Sequence, residues 1–132
     1  DQLPDFKERR KTESISNDIK SMSGLIPQKA KEHDLPIIAN HLDALGALYV
    51  IEGSTLGGKI ISKMMTKQLG LQDKGGLSFF NSYGDDTEKM WSTFREILNR
   101  FQASSDTEPI IHSANDTFLK FSTWFEKMSL KN

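Results

Sequence analysis

The sequence predicts an all-α fold. Apolar residues recur at helical spacing in four stretches, and no segment alternates apolar with polar residues as a half-buried strand does. Breaks of Gly, Ser and Asp fall between those stretches, at Ser23-Gly24, Gly70, Gly75-Gly76 and Ala103 to Asp106. With 132 residues and no cysteine, the chain reads as one domain spanning 1–132, long enough to bury a core without disulfides or a structural metal. Its net charge of -1 supplies no basic field for nucleic acid or an anionic membrane.

The first helix is expected over residues 5 to 22. Phe6, Ile15, Ile19 and Met22 line one face, and Arg9-Arg10-Lys11 reads as a solvated charge run or an anion contact. A connector with Pro27 and Pro36 follows, to be filled by a loop or a short helical turn. Asn40 is the N-cap expected for a central helix over 41–69, with Asp43 favourable to its dipole and Gly70 as the residue that ends it. Asp85 with Glu88 resembles a capping box for the next helix, whose buried stripe is Met90, Trp91, Phe94, Ile97, Leu98 and Phe101. Pro109 suits the first turn of the last helix, and Ile110, Ala114, Phe118, Phe121, Phe125 and Met128 make its apolar stripe.

The central helix is the unusual element. Gly46, Val50, Gly53 and Gly57 fall on one face at steps of four, three and four, although each glycine costs about 1 kcal/mol relative to alanine in a helix. Such a flat face admits either a neighbouring helix or the plane of a ligand. Gly53 to Lys59 also fits G-x-x-x-x-G-K. The magnesium-binding hydroxyl is replaced there by Ile60, and no parallel strands accompany it, so a nucleotide loop is set aside. His33, His41 and His112 form no zinc spacing, no nucleophile motif is present, and no stretch reaches the roughly 20 apolar residues of a membrane span. The start has no signal-peptide pattern, which points to a cytoplasmic protein, and the missing initiator methionine points to a piece of a longer one.

Leu45-Gly46-Ala47-Leu48-Tyr49-Val50-Ile51-Glu52-Gly53-Ser54-Thr55-Leu56-Gly57-Gly58 resembles the distal-helix motif of bacterial heme oxygenases, in particular the biliverdin-forming enzymes associated with bacterial phytochromes. Weaker matches follow in the family's order: Arg9-Arg10-Lys11 with Asp18-Ile19, Ser82-Tyr83-Gly84 with Thr87, Trp91-Ser92-Thr93-Phe94, and Thr117-Phe118 with Trp124-Phe125. The resemblance implies a helical bundle that clamps heme, as substrate and cofactor, against a glycine-bent distal helix and opens it to biliverdin, carbon monoxide and iron. It implies catalytic roles for Gly53, Ser54 and Gly57, with Tyr49, Gly53, Gly57, Gly58 and Arg95 holding the heme, Arg95 through a propionate. It further implies a reductase or ferredoxin as electron donor. The family's proximal histidine belongs ahead of the stretch matching Arg9-Arg10-Lys11, where this sequence has no residue to match it, and none of the three histidines takes its place. The expected fold is therefore N-terminally incomplete. The favoured explanation is a shortened form of an active enzyme, and the others are a non-catalytic relative and a chain completed by another copy. The exposed heme-facing groove invites a homodimer. The rival reading is a non-catalytic helical module that binds a tetrapyrrole or a protein partner through that groove.

Overall fold

The computed structural model describes residues 3–9, 12–71 and 75–131. Among them lie four α-helices, α1 (Thr12–Ser23), α2 (His41–Leu69), α3 (Thr87–Asn99) and α4 (Thr107–Ser129), with single 3-10 turns at Phe6–Glu8, Glu32–Asp34 and Gly84–Asp86 and no strand. Arg10 and Lys11 of the predicted charge run, and residues 72–74 of the predicted linker, lie outside the described residues. The chain forms two compact units. The first is built from Asp1–Gln28 and Gly53–Arg95, the second from Lys29–Glu52 and Glu96–Asn132.

In the first unit the expected helix over 5–22 is divided. Arg9 takes an extended conformation after the Phe6–Glu8 turn, and the α-helix starts only at Thr12. The Arg9 guanidinium is fixed at this point. Its Nε and Nη2 donate to both Asp5 carboxylate oxygens at 2.9 and 2.7 Å, Nη2 also donates to the Met90 carbonyl at 3.2 Å, and the group lies 5.2 Å from the centre of the Phe94 ring. Arg9, expected on a solvated face, is only 2 % exposed. Phe6, Ile19 and Met22, expected inside, are exposed, and the buried residue of α1 is Asp18. Asp18 Oδ1 accepts from the Ser78 amide and hydroxyl at 3.0 and 2.6 Å, and Oδ2 accepts from the Phe79 amide at 2.7 Å. This carboxylate ties α1 to the turn after α2. Gly24, at φ +71°, ends α1 where sequence puts the stop.

α3 opens differently from the Asp85–Glu88 box. A 3-10 turn leads into it, and fully buried Thr87 donates its hydroxyl to the Gly84 carbonyl at 2.7 Å while accepting from the Tyr83 amide at 3.3 Å. A buried threonine serving both directions satisfies more of the turn than an exposed aspartate can. Phe94 is completely buried, with Trp91 stacked on it at 6.1 Å.

In the second unit α2 begins as predicted. Asn40 Oδ1 accepts from the Leu42 and Asp43 amides at 2.9 and 3.1 Å, and Asp43 Oδ2 accepts from the Ala39 amide at 3.0 Å. α4 is rotated from the predicted stripe. Its buried residues are Ser113, Ala114 and Thr117, whereas Phe118, Phe121 and Phe125 are exposed. The small side chains face in because they meet the backbone of α2 at Gly46, and Ser113 donates to the Asp43 carbonyl at 2.6 Å. Phe101, predicted on the α3 stripe, falls beyond the helix in the turn before α4. The connector's short turn carries Asp34, which accepts from Lys127 Nζ at 3.0 Å.

Candidate functional site

α2 is one unbroken α-helix through all its glycines, so Gly53 to Lys59 has helical backbone and forms no phosphate loop. The glycines differ in what a β-carbon would meet. At Gly46, in the second unit, it would strike the Ile110 carbonyl, the Ser113 β-carbon at 2.7 Å and the Ala114 amide at 2.9 Å, so this glycine serves helix packing. In the first unit, a β-carbon at Gly53 would rest on the Trp91 ring at 3.5 Å. One at Gly58 would lie 2.9 Å from the Phe80 carbonyl and 3.2 Å from Ser82 Oγ. Gly58 thus admits the 79–82 turn, where Ser82 adopts φ +58° and donates to the Thr55 carbonyl at 2.9 Å. Of this set, Gly57 alone faces open space among the described residues, a β-carbon there having none of their atoms within 4 Å.

Around Gly57 the side chains of Leu56, Ile60, Ile61 and Met64 are exposed, Ile60 by 62 %. Ile60 and Ile61 lie three and four residues after Gly57, and Leu56 and Met64 each lie four residues from Ile60, so exposed apolar side chains stand beside a bare stretch of backbone. Ser54 is on the exposed side of the same helix, and Arg95 is exposed on α3. In the first unit Gly53, Ser54, Gly57 and Gly58 therefore share one helix, but Gly53 and Gly58 are covered by protein atoms.

Tyr49 belongs to the second unit. It lines a cavity of about 420 Å³ there with Leu98, Phe101, Ile110, Ala114 and Phe118. All three histidines are in this unit too: His33 in the 3-10 turn 3.5 Å from Asp34, His41 at the start of α2 and His112 on α4. Among the described residues no group of three or more His, Cys, Asp or Glu side chains could hold a metal ion. No described helix is long and apolar enough to cross a membrane.

Sequence reading missed two buried charges that hold this frame, Arg9 and Asp18, and it gave no separate role to Glu52, which is 1 % exposed. Their i, i+4 and long-range partners carry no periodic signature. The Asp5-x-x-x-Arg9 spacing was the one available hint.

The described residues thus define an all-helical protein whose longest helix offers bare backbone beside exposed apolar side chains. The heme oxygenase family model matches residues 10–127, and the chain belongs to that family. It is similar to a heme oxygenase of Xanthomonas campestris pv. campestris (strain 8004), 38 % identical over 80 residues, which cover 59 % of this chain and 47 % of the relative. The chain thus spans about half the length of the curated relative it matches. No solved structure gives a significant match.

Proposed function

We propose that this chain is part of a single heme-oxygenase-like domain of the bacterial, biliverdin-producing type, and that it takes heme on the Gly57 face of α2. The observation that carries the reading is the open backbone at Gly57 between Leu56, Ile60, Ile61 and Met64, in a chain of this family. Gly57 sets the distance of closest approach, the four apolar side chains exclude water from the ring edge, and Ser54 supplies a hydroxyl on the same helix. Arg95 offers a forked donor suited to a propionate carboxylate. Gly53 and Gly58 act from behind, letting Trp91 and the 79–82 turn support the helix. When bound, heme supplies the oxygen chemistry that opens its own ring to biliverdin, carbon monoxide and iron, and the protein supplies orientation and exclusion of water. A reductase or ferredoxin as electron donor, a cytoplasmic site of action, and pairing of two copies through the exposed face belong to the same proposal. Pull-down with the donor, cell fractionation and sedimentation check them in turn.

The test is a hemin titration of this chain and of a form extended at its N-terminus to the length of the relative. A Soret band and its conversion to a biliverdin spectrum under ascorbate are expected from the extended form. Gly57→Leu should weaken hemin binding at least about tenfold, because a side chain there lifts the ring off the helix. Unchanged affinity in that variant rejects the site. The second reading is a non-catalytic module that binds a tetrapyrrole or a protein partner on this face, which is exposed at Leu56, Ile60, Ile61 and Met64. Heme bound by the extended form with no ring opening selects it.

A further inference from the structure

We propose that the first unit holds an oxyanion site, suited to a phosphate or phosphate-ester group, in a cavity between the C-terminal half of α2 and the turn that precedes α3. The cavity has a volume of about 400 Å³, within the usual range for small-molecule sites. Lys59, Ser62, Lys63 and Thr66 line it from α2, and Asn81 and Asp85 line it from the turn.

Three features make it donor-rich. Lys59 and Lys63 stand one helical turn apart, an arrangement in which two like charges disfavour the helix, and neither forms an ion pair among the described residues. Between them Ser62 is only 5 % exposed, and its hydroxyl has no hydrogen-bond partner among the described residues, although its carbonyl accepts from Thr66 at 2.8 Å. A buried hydroxyl without a partner is costly and calls for a group to fill it. Asn81 lines the opposite wall, and the hydrogen bonds it forms among the described residues are those of its backbone amide and carbonyl. Two lysines, a serine and an asparagine thus line one cavity from two walls, a donor set that a tetrahedral oxyanion can meet with several oxygens at once. Asp85 is the single acid among the described residues lining the cavity, against two lysines. The backbone amides of α2 are spent in the helix, so the grip comes from side chains alone.

This site does not rest on the heme reading, and its test uses heme-free protein. Inorganic phosphate and glycerol phosphate are titrated separately at constant ionic strength, with chloride as the exchanged ion, and followed by amide NMR shifts. Saturable shifts over 59–66 and 81–85 are expected with phosphate and none with chloride, and the tighter of the two titrants tells free phosphate from an ester. Lys59→Gln and Lys63→Gln should each weaken binding about tenfold, the scale of one charge-assisted hydrogen bond. Ser62→Ala should weaken it several-fold, and Asp85→Asn should strengthen it. Equal shifts with chloride, or an affinity that the lysine variants leave unchanged, overturns the proposal. Unchanged affinity in Ser62→Ala overturns it as well, reducing the lysines to a diffuse positive surface.

Discussion

Two glycines of one helix show how a residue's role depends on its neighbour. A methyl group at Gly46 runs into backbone and β-carbon atoms of α4 that cannot turn aside, whereas one at Gly57 meets nothing. Gly46→Ala is therefore expected to destabilise by about 1–2 kcal/mol, because an overpacking cost of about 1–3 kcal/mol exceeds the gain in helix propensity. Gly57→Ala should stabilise by up to about 1 kcal/mol, since only the propensity changes. Denaturation midpoints of the two variants should move in opposite directions. A second residue-scale case is Asp34. The Lys127 ammonium, and after it the Lys31 amide, hold its carboxyl below the usual carboxylate value. A depressed folded pKa means that this contact contributes stability at and above the ordinary carboxylate range and loses it as pH falls through the folded value. Lys127→Gln should move the Asp34 titration upward, toward the ordinary range, in a carbon-detected NMR titration.

At the scale of elements, the ends of α2 follow local chemistry and the faces of α1 and α4 do not. Asn40 and Gly70 act within a few residues of themselves, so their roles are readable without any tertiary contact. The inward face of α4 depends on a partner with no side chain at Gly46, and three small residues match it better than the aromatic row Phe118, Phe121 and Phe125. α1 is anchored through a carboxylate instead of an apolar stripe. Asp18→Ala removes three hydrogen bonds and strands the Ser78 and Phe79 amides, so a loss of roughly 2–3 kcal/mol is expected. Urea denaturation reads the total, and faster hydrogen exchange at those two amides locates it.

Across the whole molecule, each compact unit is assembled from stretches distant in sequence. The first needs residues 3–9 and α1, because Arg9 reaches the Met90 carbonyl and the Phe94 ring while Asp18 holds the 78–79 turn. Deleting residues 1–28 should therefore strip hydrogen-exchange protection from α3 and from 77–86. Protection that survives the deletion would mean that 53–95 folds on its own contacts.

The amino-acid sequence by itself determined the helical class, the limits of α2, the stops at Gly24 and Gly70, and the glycine motif that carries the family resemblance. All of these act through spacing or through groups a few residues apart. Tertiary structure decided which glycine stays open, that Arg9 is a buried anchor, that Thr87 starts α3, and which face α4 turns inward. Each of those depends on what a distant segment brings to the contact, a carbonyl at Met90, a turn at 79–82 or a bare backbone at Gly46, and periodicity along one helix does not encode the shape of its neighbour.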